Sequence, residues 1–232
     1  MKTIGITQTD SPKKNELYSN WIKGGEHYIE IIPLSYVSNN FDDINKCDAL
    51  VLSGGVDVHP KFYNNNRIDY PGADIFKTDR DEFEMAVFKY AFEKKLPVLA
   101  ICRGMQLVNC IFKGDLVQDL EEAGKQNHSQ IEKDDISHEV KVEKGSLLYQ
   151  IAKVDTGKIN SAHHQALGKI SDELMVSATS PDGVIEAAEY KDKTNKPFLL
   201  CVQWHPERFK AHHDVVPFSK NIREAFLESI KK

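Results

Sequence analysis

The chain has few cysteines, Cys47, Cys102, Cys110 and Cys201 in 232 residues, and no Cys-x-x-Cys pair among them. That excludes a disulfide framework and the compact thiolate zinc ribbons, and the thiols are expected to be reduced. Long apolar runs are also missing. The longest, such as 97–101 and 198–202, reach about a quarter of the ~20 residues that a membrane-spanning helix needs. A cationic excess is absent: 30 Lys and Arg stand against 35 Asp and Glu, a formal net charge of -5. No electrostatic footprint for a phosphate backbone exists, so neither nucleic acid nor a membrane is expected as a partner. Linkers, low-complexity tracts and internal repeats are lacking, and a single domain over 1–232 is expected. The first seven residues alternate as a strand does, without the apolar core of a secretory signal, and a cytoplasmic address is the expectation.

What is present is an ordinary globular composition, 41% hydrophobic and 28% charged, in a chain long enough to bury a large core. Strands are predicted at 2–7, 28–34, 49–53 and 97–101. The last two are continuous apolar runs, as strands covered on both faces are, and imply a central parallel sheet. Residues 81–93 carry Phe83, Ala86, Val87, Tyr90 and Ala91 at helical spacing, with acidic residues in the first turn where the helix dipole favours them. A second helix is predicted at 104–112, and 121–136 reads as a polar excursion. Short strands follow at 139–143, 174–179, 184–189 and 199–203, with Ser180-Pro181-Asp182-Gly183 as a hairpin turn. A last helix, 217–230, is predicted to bury Ile222, Ala225, Phe226 and Ile230.

The segment from Leu99 to Gln106 is the most informative. An apolar strand runs into Cys102, then into Gly104 and a helix, with Ala100 on the other flank. This is the small-x-nucleophile-x-Gly layout of a nucleophile elbow, in which the turn admits almost no flanking side chain. A thiol there sits at a helix N-terminus, whose amides favour the thiolate and can bind an oxyanion. By position alone a buried structural cysteine is an equal alternative. Cys47, Cys110 and Cys201 lie in strand or helix contexts that suit core packing.

A nucleophilic thiol needs a base, and the base needs an orienting group. His205 ends the apolar strand at 199–203, Pro206 stops that strand, and Glu207 is two residues on. Cys102, His205 and Glu207 therefore form a candidate triad. A third strand opens into Ser53-Gly54-Gly55, where backbone amides can approach a reacting carbonyl. Gly54 or Gly55, with the amide of Arg103, are the candidate oxyanion donors.

These pieces carry a resemblance. LVLSGGVDVHPKFY (50–63), RDEFE (80–84), PVLAICRGMQLVN (97–109), SHEV (137–140), INSAHHQ (159–165), SPDGVIEA (180–187) and VQWHPE (202–207) resemble the class I glutamine amidotransferase-like proteins. Within them they resemble the γ-glutamyl hydrolases of the peptidase C26 type, particularly the γ-glutamyl-γ-aminobutyrate hydrolase family of putrescine degradation. The resemblance implies a flavodoxin-like α/β three-layer sandwich with a mostly parallel central sheet. It also implies cleavage of a small-molecule γ-glutamyl amide through a cysteine thioester, without a cofactor. It gives Cys102 the role of nucleophile, His205 of base and acid, and Glu207 of orienter. Gln106, and the loop with Ser161 and His163, would hold the glutamyl end. Ala100 stands where many class I amidotransferases have Gly, and fits the C26 branch.

His163-His164 and His212-His213 could be grouped with Cys201, His205 or Glu207 as metal ligands, but the spacings match no compact zinc signature, and no metal is expected. His27, His59 and His128 read as surface or loop residues, and His138 either lines the pocket or is structural. Two other functions stay open: a glutaminase subunit passing ammonia to a separate synthetase, and a catalytically silent binding protein of the same fold. The amine half of the substrate and the oligomeric state, a homodimer included, are open too. The loops at 63–76 and 121–136 are where amine recognition is expected.

Overall fold

Period-two alternation in three apolar strands builds the centre of the molecule. Ala49, Val51, Leu99, Ile101, Leu200 and Val202 pack on one face of the sheet, and Leu50, Leu52, Val98, Ala100, Leu199 and Cys201 on the other. A strand with both faces apolar must be covered twice, which dictates three layers.

A computed structural model describes residues 1–63, 67–132, 134–209 and 213–230. In chain order it contains β1 (Lys2–Thr7), α1 (Pro12–Lys23), β2 (Ile29–Leu34), β3 (Ala49–Leu52), α2 (Thr78–Glu93), β4 (Val98–Ile101), α3 (Arg103–Ile111) and β5 (Leu116–Val117). There follow β6 (Ile136–Val142), α4 (Leu147–Ala152), β7 (Thr156–Ser161), β8 (Ala166–Leu167), β9 (Leu174–Thr179), β10 (Ile185–Tyr190), β11 (Leu199–Val202) and α5 (Lys220–Ser229). The main sheet order is β2-β1-β3-β4-β11-β10-β9-β6-β7. From β2 to β11 every pairing is parallel; from β11 to β7 every pairing is antiparallel. Helices α1, α4 and α5 cover one face and α2 and α3 the other. This is the α/β sandwich with a central sheet expected of the sequence. No helix among the described residues is long and apolar enough to cross a membrane.

The hairpin around Ser180 to Gly183 forms as its turn chemistry predicts, joining antiparallel β9 and β10. Helix α1 was not anticipated. Its apolar stripe is thin, with only Tyr18 and Ile22 buried, but its ends are explicit: the Ser11 side chain accepts from the Lys14 amide, Pro12 opens the first turn, and Gly24 closes it at φ 53. The last helix starts later than expected. Pro217 lies in a 3₁₀ turn, His213–Phe218, and α5 begins at Lys220. Among its described residues the polar excursion at 121–136 carries no strand pairing beyond an isolated bridge, Ile131 to Asp134, before its last residue enters β6.

The largest correction concerns α2. It begins at Thr78, three residues earlier than expected, and two of its acidic residues do not face water. Asp81 and Glu84 are fully buried, as are Arg80 and Arg103. Arg80 Nε donates to Glu84 Oε1 at 2.7 Å, and the Arg103 guanidinium donates to Glu84 Oε2 and Asp81 Oδ1. Two cations and two anions thus cancel beneath the sheet. Burial works against ionisation of Glu84, but Arg103 and Arg80 together hold its carboxyl below the usual range.

Removing one member of such a set strands a buried charge. Glu84→Ala is expected to cost about 3–5 kcal/mol of unfolding free energy. Glu82→Ala, which loses only an exposed pair with Lys61, should stay within about 1 kcal/mol of the parent. Urea unfolding of both variants is the check, and similar midpoints would show that the buried network contributes nothing.

Candidate active site

Strand β4 delivers Cys102 into a strained turn. The residue has φ 53 and ψ -110, outside the basins that side chains favour, and α3 starts directly behind it. The turn is possible because Gly104 lacks a side chain: a Cβ there would lie 2.5 Å from the Leu52 carbonyl oxygen. The strand thus meets the helix as a nucleophile elbow does. The Arg103 amide, first of the helix, has no carbonyl above it to bond.

Strand β11 runs parallel to β4 in register, Val202 beside Ile101, and the Cys102 amide donates to the Val202 carbonyl at 2.7 Å. The residues just past both strands therefore share one sheet edge. His205 is 2% exposed, and its Nδ1 donates to Glu207 Oε1 at 2.8 Å, which orients Nε2 away from the carboxylate. Burial opposes protonation of this imidazole, but the Glu207 carboxylate and the neighbouring Cys102 sulfur outweigh it and raise the ring to about 9. The backbone of His205 is gripped from the far edge of the sheet. Asn160, in β7, accepts from the His205 amide at 2.8 Å and donates to its carbonyl at 2.9 Å. The antiparallel half of the sheet must curl back for its edge strand to reach this point.

The glycine turn after β3 closes the third side. A Cβ on Gly54 would lie 3.0 Å from His205 Cε1 and 3.4 Å from Cys102 Cβ, so nothing larger fits between them. The Gly54 amide, expected to face a reacting oxygen, donates instead to the Tyr18 hydroxyl at 2.9 Å. Burial, aided by the Glu207 carboxylate, pushes the Tyr18 phenol far above its ordinary range and keeps it neutral. Gly55 is in the positive-φ region and packs against the Arg80 guanidinium, which also donates to the Gly54 carbonyl at 2.8 Å. Among the described residues no acceptor is paired with the Gly55 amide.

Gln106 lies one turn past Cys102. Its Nε2 donates to the Gln165 carbonyl at 3.1 Å and to Gln203 Oε1 at 3.2 Å, and Gln203 Nε2 donates to Cys102 Sγ at 3.5 Å. The loop expected to close over a ligand is committed to protein partners instead. Ser161 Oγ donates to the His128 carbonyl at 2.7 Å, and His163 Nδ1 donates to the Gln165 carbonyl at 2.9 Å. Burial pushes the His163 imidazole down to about 4. It is the adjacent His164 that lines a cleft of about 350 Å³, together with Gly72 from one loop and Glu121 and Gln126 to Ser129 from the other. These are the two segments where amine recognition is expected. Cys102, His205 and Glu207 do not line this cleft.

The remaining thiols are free and buried. Burial raises Cys47 to about 12 and Cys110 and Cys201 further still, so none is a thiolate near neutrality. His128 is not a surface residue: it is buried, with Nε2 3.2 Å from Asp182 Oδ2. His212 lies outside the described residues, and nothing is described of the His213 side chain. Tyr18, Arg80, Gln203 and Asn160 are site residues that the sequence reading did not assign to these tasks. The available signals were the Ser11-Pro12 and Gly24 boundaries of α1, and a polar Gln203 ending an otherwise apolar strand.

The chain is 38% identical over 214 residues to Protein NtpR of Enterococcus hirae, covering 87% of each chain. It is 37% identical over 171 residues to the gamma-glutamyl-gamma-aminobutyrate hydrolase PuuD of Escherichia coli, covering 70% of this chain and 65% of that one. The structure of a glutamine amidotransferase from Methylobacillus flagellatus superimposes with a TM-score of 0.70 at 14% identity, over 100% of this chain and 96% of that one, a likeness of fold. The Peptidase C26 family profile matches residues 8–207, and the chain belongs to that family.

Proposed function

We propose that the protein hydrolyses a γ-glutamyl amide, of the γ-glutamyl-γ-aminobutyrate type or related to it, through a thioester on Cys102. The observation that carries this reading is the strained Cys102, at φ 53 behind a helix N-terminus, beside a His205 ring held by Glu207 at 2.8 Å. The similarity to a hydrolase named for such a substrate supports it.

In the first step the Cys102 thiolate attacks the γ-carbonyl carbon, and the developing oxyanion takes the amides of Arg103 and Gly55. The C–N bond then breaks as protonated His205 gives its proton to the departing amine, leaving a glutamyl thioester. Neutral His205 next takes a proton from water. The hydroxide so formed attacks the thioester carbon, the C–S bond breaks, and glutamate leaves. Glu207 fixes the tautomer and stabilises the imidazolium throughout.

Cys102→Ala should lower kcat/KM for a γ-glutamyl anilide by about 10³-fold or more, read from anilide release, and turnover at the parental rate would end the proposal. Screening a panel of γ-glutamyl amides for glutamate release identifies the amine.

With a folded-state value of about 9 against an ordinary 6.5, His205 stays charged through neutral pH. Its ion pair with Glu207 stabilises the fold fully below about 6.5, and that contribution is lost as pH rises through about 9. Acylation needs the same proton, so burst-phase amine release should fall above about pH 9. In Glu207→Gln the falling limb should move to lower pH, because burial is then opposed by the Cys102 sulfur without the carboxylate. A rate that climbs through pH 10 in the parent would contradict this assignment.

Asn160→Ala removes both bonds to the His205 backbone. It is expected to lower kcat about 10-fold or more while leaving KM within a few-fold, since the base moves and the ligand contacts do not. Steady-state kinetics distinguish this from the reverse split, which would place Asn160 in binding.

A further inference from the structure

Three of the motifs, SHEV, INSAHHQ and SPDGVIEA, supply residues that the proposed reaction does not use, and they converge away from the triad. His138 comes from β6, His163 from the loop after β7, Glu186 from β10, and His128 from the polar excursion. Each offers one ligand atom, and the four atoms all lie within 4.8 Å of one another. Glu186 Oε1 is 3.3 Å from His128 Nδ1, 3.4 Å from His138 Nε2 and 3.8 Å from His163 Nε2. These nitrogens and both Glu186 oxygens are buried atoms without a hydrogen-bond partner.

The outer ring nitrogens explain why the inner ones face each other as acceptors. His128 Nε2 meets Asp182 Oδ2 at 3.2 Å, His138 Nδ1 meets the Glu139 carbonyl at 3.0 Å, and His163 Nδ1 meets the Gln165 carbonyl at 2.9 Å. All three outer partners can only accept, so each outer nitrogen carries the hydrogen, and each ring when neutral turns a lone pair inward. With the rings neutral the centre holds three lone pairs and a carboxylate, an arrangement that is costly unless something positive, a proton shared with Glu186 or a cation, sits inside. Outer carboxylate and carbonyl partners are also how metal-bound imidazoles are oriented.

We propose that His128, His138, His163 and Glu186 form a divalent-cation site of the zinc class. Tetrahedral ligands at bonds of about 2.0–2.1 Å lie about 3.3 Å apart, and two of the three separations from Glu186 fall there. A donor set of three imidazoles and one carboxylate suits zinc and its neighbours rather than calcium or magnesium, which take oxygen ligands. The site is structural. It fastens the 121–136 excursion to β6 and β10 and pins the segment that begins with Asn160, the residue gripping His205.

The test uses untagged full-length protein carrying Cys102→Ser, so that the reactive thiol contributes no ligand and the outcome is independent of the proposed reaction. After dialysis against zinc and removal of excess, elemental analysis should find one equivalent per chain. The cobalt-loaded form should show the visible absorption of four-coordinate cobalt. A strong chelator should lower Tm by several degrees, and zinc should restore it. His138→Gln, at the most exposed of the four positions, should lose at least 10-fold in zinc affinity while keeping the parental far-ultraviolet circular dichroism. Less than about a tenth of an equivalent of metal with no Tm response to zinc or chelator would overturn the proposal. So would unchanged zinc affinity in both His138→Gln and Glu186→Gln.

Discussion

The balanced buried charges beneath the sheet are what the rest of the site depends on. Arg103 belongs to the elbow, Arg80 touches the glycine turn, and Glu84 binds both. Two loops that follow different strands are thereby held in one frame, with Asp81 completing neutrality. Such a set cannot give up a member cheaply, because the low-dielectric surroundings that strengthen each pair also penalise each orphan. The geometry at Cys102 is therefore tied to the integrity of a core layer on the opposite side of the sheet.

The two halves of the sheet divide the work. The parallel half sets Cys102 and His205 side by side through the register of β4 and β11. The antiparallel half curls round so that Asn160, at its far edge, grips the backbone of His205. Neither half positions His205 alone. Tyr18 adds a third support from the opposite helix layer by taking up the Gly54 amide.

Much of this was legible in the sequence because it was local. The elbow is written in five consecutive residues, the His205–Glu207 pair in three, and the hairpin in four. The central strands declared themselves by unbroken apolar runs. What was not legible depended on long-range partners. Asp81 and Glu84, near the start of α2, fit a dipole reading until Arg103, 22 and 19 residues away, draws them into a buried network. Ser161 and His163 sit in a loop that reads as ligand-facing, yet the Ser161 hydroxyl and the His163 amide both bond the His128 carbonyl of the polar excursion, whose own placement carries no periodic signal. His128 reads as a loop residue for the same reason.

The sheet also partitions the sulfur chemistry. Cys47, Cys110 and Cys201 pack on the α2–α3 side, and Cys102 packs on the other. A sulfenic acid formed on Cys102 has no resolving thiol within reach that does not lie across a layer of backbone, so an internal disulfide cannot cap the oxidation. Recovery must come from a small thiol entering from solvent. The fold thus leaves the redox lifetime of a sulfenic acid at Cys102 to the thiol pool of its surroundings.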